Sequence, residues 1–355
     1  MNSLPPRQKN IAPDELKAWR KKIAESGGTL SLVTGSFALW QPGNLAAIRE
    51  AARQASHVCI IVHPPTPERY GGTGPTTPEN YGKAGPASQN AARPNLAARL
   101  EMAAGLRAIS AVTTCAPGEA EQVLTNLQPF TLVDCLKQKA PGAIASTARK
   151  LADHIVDLAP VAGCFTADIQ KAIRESRTPI PVPDAVMGPQ PDRRALDRFL
   201  SSGTPARPLV TVNGCFDVLH LGHVRMLEQA RKLGARLMVL VNDDDSVRDY
   251  KGAARPIFPI RFRLHALNAL EAVAMAYPFA GDNPLPLLAT IRPDIHVKGG
   301  SFEETRVRDE RRLLESWGGR LETIPLVKGY STSAVVKSIA QKSTTDDRRQ
   351  TTEST

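Results

Sequence analysis

VTVNGCFDVLHLGHVRMLEQA, residues 210–230, reads as a strand, a sharp bend and a helix in immediate succession. Residues 209–212 form a short apolar, β-rich run, the chain bends at Gly214, and from Val224 the apolar residues Val224, Leu227 and Ala230 recur at helical spacing until Gly234 stops them. A second apolar run at 237–241 has the composition of a strand buried on both faces. Further on, the pattern predicts a helix over 263–272, then a segment at 286–290, a strand at 295–297, a helix over 310–316, a strand at 321–325, and a last helix from Ser331. Strands and helices that alternate in this way imply an α/β fold, a Rossmann-like three-layer unit with a parallel sheet. Ligands of such sheets sit at the carboxyl ends of the strands.

Laid on itself, the sequence repeats. LVTGSFALWQPGNLAAIREA, residues 32–51, matches residues 211–230 at an offset of 179, with Gly35 on Gly214, Phe37 on Phe216, Gly43 on Gly222 and Ile48 on Leu227. The run 58–62 falls on 237–241 at the same offset. The match resumes at 164, where Arg99 meets Arg263 and LQPFTLV from Leu127 meets IRPDIHV from Ile291, and ends at 166, where residues 160–173 run beside 326–339. Two tandem units are therefore expected, the first over 28–177 and the second over 208–341. The change of offset leaves fifteen extra residues in the Pro/Gly/Thr-rich stretch 64–86, read as a long loop. A Pro-rich linker over 178–207, containing a short helix at 193–200, joins the units, and the polar tail 342–355 is expected to be disordered.

Composition narrows the function classes. No run of 18 apolar residues is present, and the start lacks the apolar core of a secretory signal, so a cytoplasmic protein without membrane spans is expected. The five cysteines form no CxxC pair, which argues against a disulfide framework or a zinc knuckle. The net charge of +10 is spread along the chain, with 20 Lys+Arg against 14 Asp+Glu through residue 178 and 25 against 21 after it. Without a basic stripe or interleaved aromatics this argues against nucleic acid and suits small phosphorylated ligands.

The chemistry concentrates in the bend of the second unit. His220 and His223 lie three residues apart at a helix start, so both imidazoles can face one point, and Gly222 between them removes a side chain where a phosphate can approach the helix N-terminus. Ser331, Thr332 and Ser333, after Gly329 and Tyr330, stand at another helix start, where hydroxyls serve as caps and the same geometry binds anions. Lys298, Gly299 and Gly300 end a third strand. Lys251 and Arg263, taken alone, read as surface cations. There is no G-x-x-x-x-G-K-[ST] loop and no G-x-G-x-x-G after a strand.

H-x-G-H after a strand, within GCFDVLHLGHVRMLEQARKLG, resembles the signature of the nucleotidylyltransferase superfamily in its cytidylyltransferase-like branch. VNDDDSVRDYKGAARPI, RPDIHVKGG and LVKGYSTSAVV resemble, more specifically, the adenylyltransferase domain of bacterial ADP-heptose synthases. The resemblance covers about residues 208–341. It implies transfer of AMP from ATP to a heptose 1-phosphate with release of pyrophosphate. Glycerol-phosphate and ethanolamine-phosphate cytidylyltransferases, with CTP, carry related motifs, and a nucleotide sensor without turnover is the non-enzymatic alternative. The roles it implies are His220 and His223 on the α and β phosphates, Lys251, in the polar loop after the second strand, on the phosphates, and Arg263 on the acceptor. Gly214, Cys215, Phe216, Gly222, Lys298, Gly299, Gly300, Tyr330, Ser331 and Thr332 would line the nucleotide, and Asp217 would orient the first histidine or the metal shell. Mg²⁺ is expected with the triphosphate and needs few protein ligands. A homodimer is compatible with all of this. Ser301 stands where the family carries an acid, and the kinase domain often fused to these enzymes has no counterpart here.

The first copy lacks these groups. Asp217 becomes Ala38, His220 becomes Gln41, His223 becomes Asn44, Lys298 becomes Asp134, Gly299 becomes Cys135, and Tyr330 and Ser331 become Cys164 and Phe165. Its apolar framework persists at Leu32, Val33, Phe37, Ile60, Ile61, Leu132 and Val133. The expectation is a degenerate, non-catalytic copy.

Overall fold

The computed structural model describes residues 6–37, 39–64, 95–134, 143–202, 207–281, 283–300, 304–325, 327 and 330–341. The stretch 65–94, Ala38, Cys135, Ser301, Gly329 and the tail 342–355 lie outside the described residues, and with them nearly all of the expected long loop. The chain forms two compact units, Met1–Thr166 and Ala167–Thr355, so the division falls before the boundary at 177 that the repeat suggests.

In the first unit five parallel strands, β1 (Leu30–Gly35), β2 (His57–Val62), β3 (Ala111–Thr113), β4 (Thr131–Asp134) and β5 (His154–Asp157), lie in the order β3-β2-β1-β4-β5. They alternate with α2 (Pro42–Gln54), α3 (Leu96–Ala104), α4 (Ala120–Leu127) and α5 (Ala143–Leu151), after an added α1 (Leu16–Glu25). Leu16 and Ile23 of α1 are buried in one core with Leu32, Ile61, Leu124 and Leu132. The helix α6 (Thr166–Arg174) begins at the division, and α7 (Arg193–Ser201) is the short helix expected before the second unit.

The second unit has β6 (Leu209–Gly214), β7 (Arg236–Asn242), β8 (Met275–Phe279), β9 (Ile295–Gly299) and β10 (Arg320–Ile324), in the order β10-β9-β6-β7-β8. Between them run α8 (Leu221–Lys232), α9 (Asp244–Lys251), α10 (Ile260–Asn268), α11 (Leu285–Ile291) and α12 (Glu304–Glu315), with α13 (Thr332–Gln341) last. Counted within each unit, the strand order is the same, and so is the register. Leu30↔His57 recurs as Leu209↔Arg236, Cys59↔Ala111 as Met238↔Met275, Ser31↔Thr131 as Val210↔Ile295, and Thr131↔His154 as Ile295↔Arg320. The offsets of 179, 164 and 166 found in the sequence are thus reproduced pair by pair.

Two elements depart from the sequence reading. β8 was not expected, and Lys251 closes the helix α9 instead of lying in a loop. Asp243 starts that helix by accepting a hydrogen bond from the Ser246 amide at 2.8 Å, and only Ser246 and Val247 of its residues are buried. Among the described residues no helix is long and apolar enough to cross a membrane, and none of the four described cysteines is in a disulfide.

Candidate active site

The bend after β6 is fixed by packing. Phe216 takes a positive φ of 45° and turns its ring back on Gly214, where a Cβ would meet it at 3.1 Å. From there the chain reaches His220, extended at φ −141°, which caps α8. The Nδ1 atom of His220 accepts a hydrogen bond from the His223 amide at 3.4 Å. An Nδ1 that accepts leaves the proton of a neutral imidazole on Nε2, so His220 has a donor to offer.

The His223 ring stacks on His220 with centroids 3.7 Å apart and planes 18° apart, and its other neighbour is the Phe216 ring at 5.2 Å. Its Nδ1 is buried with no hydrogen-bond partner. Burial, helped by the charge of Lys251, lowers the His220 pKa to about 4, and burial, the neighbouring ring and Lys251 hold His223 well below the usual imidazole range. Both rings are therefore neutral at pH 7, and the exposed ammonium of Lys251 supplies the positive charge of this turn.

The last turn of the unit closes on the same point. The Tyr330 ring lies 6.4 Å from His220, and a Cβ on Gly222 would meet the Tyr330 Cβ at 3.0 Å and the His220 ring at 3.1 Å. Ser331 Oγ accepts from the Ala334 amide at 3.0 Å, so this hydroxyl caps α13. Thr332 is buried at the first position of that helix. The N-termini of α8 and α13 thus meet around Gly222, with unsatisfied amides and the positive ends of two helix dipoles. At the end of β9, Gly300 has a φ of +104° and donates to Ile324 O at 2.9 Å, while Lys298 is held by Asn213 and Glu310, each at 2.7 Å.

Two expected roles are corrected. Asp217 does not orient a histidine. Its carboxylate is buried and engaged on both oxygens: Oδ2 accepts from Nε of Arg255 at 2.6 Å within an ion pair, and Oδ1 accepts from the amides of Ile257 and Phe258 at 2.7 and 3.0 Å. It ties the segment that follows Lys251 to the bend. Arg263 does not face an acceptor. Its fully buried guanidinium donates to the carbonyls of Phe258, Cys215 and Asn242 at 3.0, 2.6 and 2.8 Å and to Asp244 at 2.7 Å. Arg99 of the first unit is equally buried and donates to Ser36 O, the carbonyl at the position of Cys215. The partners that sequence reasoning missed, Arg255 and Glu310, lie far along the chain from Asp217 and Lys298.

At the same edge of the first unit no imidazole pair forms. The Gln41 amide, at the start of α2, donates to Asn44 Oδ1 at 3.4 Å, and a Cβ on Gly43 would meet nothing within 4 Å. Asp134, at the position of Lys298, pairs with Arg149 at 2.7 Å, which also holds Asp157 at 2.7 Å.

Comparison with known proteins bears on the second unit. Residues 211–338 match the model of the cytidylyltransferase-like family. The same part of the chain is similar to two curated proteins named bifunctional protein HldE. The one from Methylococcus capsulatus is 44% identical over 145 residues, 41% of this chain and 30% of that protein. The one from Pseudomonas paraeruginosa is 46% identical over 134 residues, 38% of this chain and 28% of that protein. The chain thus spans less than a third of the length of these relatives. Among solved structures, a lipopolysaccharide core biosynthesis protein from Thermoplasma volcanium GSS1 is 28% identical, aligning with 34% of this chain and 96% of that one at a TM-score of 0.29.

Proposed function

We propose that the second unit, a cytidylyltransferase-like domain of the nucleotidylyltransferase superfamily, transfers a nucleoside monophosphate from a nucleoside triphosphate to a sugar phosphate. ATP and D-glycero-β-D-manno-heptose 1-phosphate are the substrates that the HldE-like sequence favours. The observation that carries the reading is the stacked, neutral His220–His223 pair at the point where two helix N-termini meet.

In this reaction an oxygen of the acceptor phosphate attacks the α-phosphorus, the bond from that phosphorus to the bridging oxygen breaks, and pyrophosphate leaves. Every participant is anionic, so positioning and neutralisation carry the catalysis, and no side-chain nucleophile is required. The Nε2–H of His220 would donate to a phosphate oxygen, His223 would hold the neighbouring phosphate, and Lys251 would balance the charge that moves to the leaving group. The amides of Gly222 and of the first turn of α13 complete the cradle.

Among the described residues no trio of His, Cys, Asp or Glu is arranged to hold a metal, and Asp217 is fully engaged. These residues fit an Mg²⁺ carried by the triphosphate oxygens, which would supply further neutralisation when bound. On this reading the partners are small molecules, not nucleic acid, and the address is the cytoplasm. The first unit, without the histidines, is a non-catalytic copy.

The test is pyrophosphate release from ATP or CTP with heptose 1-phosphate, glycerol 3-phosphate or phosphoethanolamine, run beside His223→Ala. Release with ATP and the heptose phosphate, lost in the variant, is expected. Release only with CTP moves the activity to the cytidylyltransferases, and tight nucleotide binding without release with any pair makes the unit a sensor.

A further inference from the structure

A second polar set crosses the centre of the same sheet. Thr211 on β6 and His296 on β9 are both fully buried, and Thr211 Oγ1 lies 2.7 Å from His296 Nδ1. On the other side of that ring, Nε2 stands 3.9 Å from Oε2 of Glu310 on α12, and neither atom has a hydrogen-bond partner. The other oxygen of Glu310 accepts from Lys298 Nζ at 2.7 Å, and the same ammonium donates to Asn213 Oδ1 at 2.7 Å. The side chains of Glu310 and Lys298 are only 8% and 11% exposed. The set therefore runs from the sheet interior to the ends of β6 and β9.

The first unit is an internal control. At identical register it carries Leu32 and Leu132 where the second has Thr211 and His296, and both leucines sit in its apolar core. Asp134 replaces Lys298, Thr34 replaces Asn213, and the offsets of 164 and 166 place Ser146 and Ile144 at Glu310. The sheet closes over an apolar pair there, so the fold does not require the polar set. A buried histidine, carboxylate and ammonium carry a desolvation cost that leucines avoid. Their presence beside the imidazole pair, and their loss where that pair is lost, ties them to the site.

We propose that Glu310 is a positioning residue of the nucleotide site: it clamps Lys298 against Asn213 and so fixes the end of β9, where Gly299 and Gly300 present backbone to the nucleotide. The inference rests on the nucleotide-binding reading above. His296 is the inner neighbour, its ring packed behind Glu310 with Nε2 3.9 Å from the oxygen that Lys298 does not use.

The test uses the full chain with Glu310→Gln and His296→Leu, the second copying the first unit. ATP titration calorimetry, kcat and KM for each substrate, and thermal unfolding are measured. For Glu310→Gln, Kd and KM for ATP are expected to rise about tenfold, with the acceptor KM unchanged, because a misplaced strand end weakens only what it touches. His296→Leu should fold as stably as the wild type and shift the ATP constants in the same direction by a smaller factor. The double variant should match Glu310→Gln alone, since the two act in one chain of contacts. ATP constants unchanged in both variants, or a fall in stability that drags both substrates' constants together, would overturn the proposal. A wild-type protein that does not bind ATP at all would instead sink the nucleotide reading, and this inference with it.

Discussion

Phe37 and Phe216 share a positive φ, 46° and 45°, and so do Gln128 and Arg292, 43° and 48°, at matching positions of the two units. Side chains avoid this conformation unless the surroundings impose it. Its survival in both copies, with the buried arginines Arg99 and Arg263 and the residue-by-residue register, identifies what the fold demands. What differs around the site is polar: the imidazole pair and the Asp217–Arg255 tie at the carboxyl edge, and the Thr211–His296–Glu310–Lys298 chain that runs inward from it, belong to the second unit only. The duplication therefore separates residues common to both architectures from those proposed for chemistry, without any other sequence.

The largest test of that separation writes the first unit's residues into the second. His220→Gln with His223→Asn should lower pyrophosphate release by about 10³- to 10⁴-fold, since each donor to a phosphate in the transition state contributes roughly 10²-fold or more. The unfolding midpoint should stay within a few degrees, because Gln41 and Asn44 already start α2 in the same fold. A doubly substituted protein that keeps its rate would place the chemistry elsewhere.

Next in size is Asp217→Ala, which copies Ala38. It strands the Arg255 guanidinium and two amides in the interior, and breaking a buried pair from one side costs about 3–5 kcal/mol. Chemical denaturation should show that loss in the second unit. The rate should fall too, since the segment after Lys251 is no longer tied to the bend. A stable, active variant would remove the tie from the account.

The arginines probe the opposite case, a feature common to both units. Arg99→Ala and Arg263→Ala should each destabilise their own unit by about 2–4 kcal/mol, because buried carbonyls lose their charged donor. Hydrogen exchange of each sheet would locate the loss. An Arg263→Ala protein of normal stability but with a raised acceptor KM would restore the acceptor role that the sequence suggested.

The sequence was legible where the physics is local. Apolar runs and their spacing announced four of the five strands of the second unit, and the repeat announced two sheets, because register follows from residues a fixed distance apart. β8 escaped because MAYPF is short and contains Pro278, which an edge strand tolerates and a central one does not. α9 escaped because six of its eight residues are polar, with a single buried apolar residue, Val247, to give it a face. At the site, H-x-G-H was readable as a strand followed by a capped helix. The partners of Asp217 and Lys298 were not, since a contact such as Asp217 with Arg255, 38 residues apart, leaves no periodic trace.

The smallest effects come from the two matched glycines, and they are expected to differ in sign. Gly43 and Gly222 both occupy the second position of their helices, α2 and α8. A Cβ at Gly43 meets open space, so Gly43→Ala should stabilise the first unit by about 0.5 kcal/mol through the entropy removed from the unfolded chain. A Cβ at Gly222 falls 3.0 Å from the Tyr330 Cβ and 3.1 Å from the His220 ring, and neither is the far end of a flexible side chain. The ring must tilt or the Tyr330 turn must retreat. Gly222→Ala should therefore cost about 1 kcal/mol of stability, in the range of mild overpacking. The rate should fall by a larger factor than that loss predicts, since the displaced group is the histidine proposed to contact phosphate. Paired melting curves and initial rates for the two variants decide the matter. Equal shifts at both positions would mean that Gly222 is kept for the helix, as Gly43 is, and that the space beside it has no ligand to admit.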